Sequence, residues 1–337
     1  MAYKIYTPLI SGDDTGERSA KIAAGLFTNG VGEITTIFTS STQVTTNGEY
    51  VISAYNAVTT DATSEVQFSI SYGNALGSGS ANTNDSKPTK AIYSQYRNLL
   101  LEPGDTRFTF AGGVDSDSIV VLNLKRSRFK ENIDPGNWEL KLSNGTRTVT
   151  LTDDSLQSLG TGQVSGVSPS GKKYYNIVEG TIATGPSGSR GVYGLLYQEL
   201  GLMILNADAI NVSMSLANSS YLSASITTPV PNNNERMHNL IKTGASFKAR
   251  NEETLNSQYY FIRMKSKEYN LSNNPTYVSG SVGRIIDTIT KRGVPFTYVT
   301  GIGLYDDAGN LLATAKLSKP LFKEPGTEAL VKIRLDF

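Results

Sequence analysis

The side chains that could do chemistry are few. Histidine occurs once, at His238, and cysteine does not occur. A Ser-His-Asp or Cys-His arrangement must therefore use His238 or not exist. One imidazole without thiolates also falls short of the ligand set that zinc requires. His238 lies beside Asn233, Asn234 and Glu235 in a short segment with amphipathic helical spacing, where a surface or helix-face histidine is expected. Carboxylates are the remaining route to hydrolysis. They cluster at Asp13, Asp14 and Glu17, at Asp115 and Asp117, at Asp153 and Asp154, and at Asp306 and Asp307. A glycosidase needs two carboxyls facing one bond across a cleft, whereas adjacent acids among turn residues fit Asx turns. Asp115-Ser116-Asp117 lacks the further ligands, the glycine and the glutamate of a calcium loop. The glycine-rich stretches at 160–162 and 185–194 are not followed by Gly-Lys-Ser/Thr and read as loops. The expectation is no catalytic residue, no cofactor and no metal.

The elements that would position such groups are mostly strands: short β-branched and aromatic runs bounded by Gly, Asn, Asp and Pro. Runs at 32–40 and 49–58 flank a TTNG turn, and 65–72 alternates Val66, Phe68, Ile70 and Tyr72 with polar partners. Residues 91–101 place Ile92, Tyr96, Leu99 and Leu100 at helical spacing before a Pro103-Gly104 stop. Strands follow at 107–110, 118–124, 138–142 and 147–151, with Asp134-Pro135-Gly136-Asn137 as a turn, then at 174–182. A hairpin at 192–205 turns on Gln198-Glu199-Leu200-Gly201. A short helix from residue 234 should bury Met237, Leu240 and Ile241 and stop at Gly244. After a strand at 258–264, a hairpin joins 299–304 to 310–317 through residues 305–309. Residues 330–337 alternate strictly, with Val331, Ile333, Leu335 and Phe337 on one face and Lys332, Arg334 and Asp336 on the other.

This pattern predicts a mainly β fold, a multi-domain antiparallel β-sandwich-like architecture with a few short helices. The expected division is an N-terminal β domain at 1–76, a linker at 77–90, and a central β domain at 91–226 with a flexible Gly/Ser loop at 159–173. A C-terminal α/β-hairpin region at 227–337 follows, ending in a buried terminal strand.

Charge is balanced, 31 Lys and Arg against 30 Asp and Glu, and charged residues are 18% of the chain. A near-neutral chain has no global field to draw it onto nucleic acid or anionic lipid, so neither is an expected partner. The amino terminus shows no signal peptide. The most apolar stretch, 191–210, is broken by Gln198, Glu199 and Gly201 and is no membrane span. Ser, Thr, Asn, Gly and Tyr replace the missing charge, and small hydroxyl and amide groups cost less to desolvate than charges. Such a surface suits contact with other subunits, and it equally suits an ordinary secreted β-protein. Eighteen Tyr and eleven Phe against one Trp favour interfaces, because Tyr buries area and keeps a polar handle. The candidate contact residues are Tyr93, Tyr96, Tyr259, Tyr260 and Phe337, with the basic run Lys125, Arg126 and Arg128. That run fits either local pairing with acids or a salt-bridging contact to a neighbour.

Four segments carry a resemblance. They are IYSQYRNLLL at 92–101, LNLKRSRFKENIDPGNWEL at 122–140, ARNEETLNSQYYFIRMKSKEYNLSNNPTY at 249–277, and residues 298–337 with TGIGLYDDAGNLLATAKLSKPL near their start, together about a third of the chain. The chain resembles virion structural proteins of contractile-tailed bacteriophages of the T-even type, such as those of cyanobacteria and other marine hosts. That resemblance implies a non-enzymatic tail component, baseplate or tail-attached, assembled in the host cytoplasm into the virion. Its partners would be other tail and baseplate proteins and copies of itself. A neck or head-to-tail connector, a fibre-attachment protein, and a receptor- or carbohydrate-binding module are the alternatives.

Overall fold

The computed structural model describes residues 7–39, 51–80, 87–110, 113–155, 166–167, 171–186, 192–216, 222, 233–272, 274–279, 284–285, 290–291 and 293–337. The TTNG turn, the middle of the 77–90 loop, most of the 159–173 loop and residues 223–232 lie outside them. The fold is mainly β, with antiparallel ladders and four short α-helices among the described residues, consistent with a β-sandwich-like class. It divides into two units, 21–253 and 1–20 with 254–337.

The larger unit is built on one long sheet. Its strands run in the order Glu33–Ile34, Phe247–Lys248, Glu139–Ser143, Thr148–Asp153, Lys173–Thr181, Val192–Tyr197, Leu202–Asn206, Ser118–Leu124, Val66–Asn74, Val51–Tyr55. The sheet curls. Phe68, near one end of this order, meets Phe247, near the other, edge to face at 5.5 Å, and Phe27 meets Phe247 at 5.2 Å. The helix Asn233–Gly244 fills the inside of the curl, touching strands from both ends of the order. It buries Met237, Leu240 and Ile241, as their spacing predicts. The Asp134–Asn137 turn forms with Gly136 at φ 77°, and the hairpin between Val192–Tyr197 and Leu202–Asn206 turns through Gly201 at φ 67°.

Both faces of the middle strands are covered. Along Ser118–Leu124, Val120, Leu122 and Leu124 face the helix-filled core, while Ile119 and Val121 face a second cluster with Tyr93, Phe108 and Leu195. Two buried faces explain why this strand reads as a continuous apolar run rather than an alternation. The helix Pro88–Leu100 lies over the second cluster. Its buried face is Thr89, Tyr93 and Leu100, and Leu99 is exposed. The face expected from spacing is therefore rotated, because the helix starts at Pro88 and Tyr93 points inward. Gly73 lets this helix approach, since a Cβ there would stand 2.8 Å from the Tyr93 nitrogen.

The smaller unit has two layers. Residues 15–20 of the strand Thr15–Gly25, residues 254–264 of Arg250–Met264, and Ala329–Asp336 form one sheet, in that order. The hairpin Thr297–Tyr305 and Leu311–Lys323 packs against it through Met264, Leu304, Val331 and Ile333. In the hairpin turn, Asp306 accepts from the Asn310 amide at 2.7 Å and its side chain at 2.9 Å, and Gly309 takes φ 85°. Lys323 is fully buried and donates to the Ser266 carbonyl (3.2 Å), Asn270 Oδ1 (2.8 Å) and the Glu324 carbonyl (3.1 Å). Three acceptors match the three donors of an ammonium, and burial pushes its pKa down.

Two expectations need correction. Segments from 1–76, 91–226 and 227–337 all contribute strands to the single long sheet, so the loops between them are connections within one unit rather than linkers between domains. Pairings such as Phe68 with Leu124 join residues far apart in sequence, which local composition does not report. The terminal strand buries Val331 and Ile333 but not its end: Phe337 exchanges both backbone bonds with Asn256, yet the residue is 66% exposed.

Gly244 ends the inner helix against the sheet, and a Cβ there would stand 1.9 Å from the Lys141 carbonyl oxygen. Gly244→Ala should cost about 1–3 kcal/mol in urea unfolding, whereas Gly104→Ala, with open space around it, should cost nothing measurable.

Candidate interaction surfaces

At least one acid of each cluster makes a contact within the chain. Asp153 is buried and its Oδ2 accepts from the Trp138 indole N–H and the Gly136 amide, while Oδ1 accepts from Ser155 N. Asp154 accepts from both the backbone and side chain of Asn176, at 3.0 and 2.7 Å. Burial pushes the Asp154 carboxyl up, and the Asp153 charge adds to that. Asp14 caps Ile10 N, Asp115 accepts from Thr109, and Asp117 pairs with Arg107. Among the described residues, no group of three or more His, Asp or Glu is arranged to hold a metal. Trp138 is fully buried beneath the sheet.

Tyr93 does not offer contact area. It is 2% exposed, accepts from the Phe108 amide at 2.9 Å and donates to the Ser116 carbonyl at 2.8 Å. Tyr96 is half-buried against the same cluster. The basic run is largely paired within the chain. Arg128 pairs with Glu65, Lys130 with Glu253 at 2.7 Å, and Arg126 donates to the Glu199 carbonyl at 3.0 Å while lying over Phe129. Lys125 and Arg126 remain exposed and border an open hollow of about 630 Å³ that Val51, Ser53 and Ser69 also line.

Tyr259 and Tyr260 take opposite faces of their strand. Tyr260 packs toward the inner cluster and donates to Gln258 at 2.9 Å. Tyr259 lies on the outer face, where the register sets it opposite Arg334, with Phe261 opposite Lys332 and Arg263 opposite Leu330. The Lys332 ammonium stands 4.2 Å from the Tyr259 ring centroid and 5.6 Å from that of Phe261. Gly16 comes alongside these two aromatics, so Arg18, two residues on, shares their face. The result is an outward sheet face of two aromatics among Arg18, Arg263, Lys332 and Arg334. Asp336 is its one acid along Ala329–Asp336, and it is held by Ser257 and Arg334. Alternation in the sequence shows Lys332 and Arg334 sharing a face. What it lacks is the register that brings Tyr259 and Phe261 beneath them.

His238 sits buried on the inner helix, and its Nε2 has no hydrogen-bond partner. Burial, then the Lys242 charge, holds its pKa below the usual imidazole range. The folded form thus stays neutral where the unfolded chain takes up a proton. Stability is unaffected above about pH 6.5 and falls as pH drops below it, by up to about 1.4 kcal/mol per unit. His238→Phe should flatten the urea stability profile between pH 7 and pH 5.5 relative to wild type. Tyr93→Phe leaves the Phe108 amide unpaired in the core and should cost about 1–3 kcal/mol in the same assay.

No family model, no curated protein and no solved structure matches the chain.

Proposed function

We propose that this chain is a structural, non-enzymatic subunit of a contractile-tailed phage virion, baseplate or tail-attached, working through contacts with other tail proteins and copies of itself. The sequence resemblance at 92–101, 122–140, 249–277 and 298–337 supports the virion setting. One structural observation supports a contact role. Ten of the seventeen exposed large apolar side chains among the described residues fall in the smaller unit, including Leu312 (69%), Leu330 (60%), Tyr298 and Phe337. Exposed apolar side chains gathered in one unit favour a surface that other proteins cover. Specific protein interfaces bury about 1,200–2,000 Å² in total, and symmetric repetition turns individually modest contacts into a rigid ring.

Quantitative mass spectrometry of purified particles tests this reading. The chain should be present at a fixed multiple of the tail symmetry, and cryo-EM of the particle should place it in the tail. Absence from intact particles, or turnover of a polysaccharide by the purified chain, would contradict it.

A further inference from the structure

The strand Ala329–Asp336 is the last in its sheet, with Arg250–Met264 on one side and no strand on the other among the described residues. Its pairing is continuous from Ala329 to Asp336, without a bulge or a proline. Phe337 and Asn256 exchange both backbone hydrogen bonds, at 3.0 and 3.1 Å. In an antiparallel ladder, bonded and non-bonded pairs alternate, so Val331, Ile333 and Leu335 direct their N–H and C=O groups at the neighbouring strand. Leu330, Lys332, Arg334 and Asp336 direct theirs away from it. A row of outward backbone groups is a template for another strand.

We infer that this edge receives an extended segment of a partner protein, one that alternates acidic and apolar residues. Side chains of an added strand stand beside those they pair with. One set of alternate positions joins the outer face, beside Lys332 and Arg334, where Arg263 and Arg18 add positive charge. The other set joins the inner face, beside Val331, Ile333 and Leu335, which belong to the apolar cluster. Asp or Glu on the first set and Val, Ile or Leu on the second satisfies both faces. A second copy of the same edge, in the fully overlapped antiparallel register centred on Ile333, does not: it sets Lys332 opposite Arg334 twice, and like charges directly opposite are destabilising. The rings of Tyr259 and Phe261 lie beneath the Lys332 ammonium, which obstructs the base stacking that a single-stranded nucleic acid would use. This inference stands on the edge and its charges and does not depend on the virion reading.

The test uses the full chain and a fluorescein-labelled peptide of alternating glutamate and valine, read by anisotropy at low salt. Binding is expected, with a peptide of alternating lysine and valine failing to bind. The double variant Lys332→Glu, Arg334→Glu should weaken the glutamate peptide by about tenfold or more and gain the lysine peptide. Where circular dichroism shows that variant unfolded, Lys332→Gln, Arg334→Gln should still weaken binding severalfold. N-methylation of the peptide amides that meet the edge should abolish binding, because strand addition uses backbone hydrogen bonds. No binding of the glutamate peptide, equal binding of the N-methylated peptide, displacement of the peptide by a single-stranded oligonucleotide, or concentration-dependent dimerisation that competes with it would each overturn the inference.

Discussion

The register between Ser257–Met264 and Asp336–Ala329 is the constraint on which the outer surface of the smaller unit depends. Side chains on a strand alternate with a period of two, so a slip of one residue reverses both faces. In the observed register, Val331 and Ile333 enter the cluster with Met264 and Leu304, and Lys332 and Arg334 stand over Tyr259. One slip would bury two cations and expose the apolar row. Burial of that row therefore fixes the position of every charge on the opposite face, without any direct interaction being needed to place them.

The larger unit solves a different problem. An open sheet of this length has two ends and two faces to cover. Curling brings the ends together at Phe68, Phe247 and Phe27, and the helix Asn233–Gly244 closes the inside. On the opposite face the helix Pro88–Leu100 and the strand Phe108–Phe110 supply Tyr93 and Phe108, which meet edge to face at 5.5 Å. The buried acids Asp153 and Asp154 are paired, with Trp138 and Asn176 respectively.

Much of the local structure was legible in the chain. Period-two alternation marked Val66–Asn74 and Ala329–Asp336, and Gly201 and Gly309 marked two hairpins by the positive φ their turns need. Met237, Leu240 and Ile241 marked the buried side of a helix. What was not legible was everything set by long-range pairing. The 77–90 segment looks like a linker because it is polar and lacks an apolar anchor, yet the strands on either side of it, Val66–Asn74 and Ser118–Leu124, pair in one sheet. Tyr93 looked like an interface residue because residue type alone does not reveal that its hydroxyl meets Phe108 and Ser116. Lys125, Arg126 and Arg128 looked like one patch, but Glu65 lies opposite Arg128 only once the sheet is formed. The cationic face went unrecognised for the same reason, since Arg18, Arg263 and Lys332 are far apart in sequence.

The smaller unit, on this view, is a surface prepared for a neighbour, and its edge strand is the part most specifically prepared. Amide exchange at residue resolution measures this directly. In the isolated chain Val331, Ile333 and Leu335 should be protected while Leu330, Lys332, Arg334 and Asp336 exchange freely, a two-residue period along one strand. With the alternating glutamate and valine peptide bound, both sets should be protected. Protection of both sets in the isolated chain, or free exchange of the outward set with the peptide bound, would contradict a role for this edge as a docking strand.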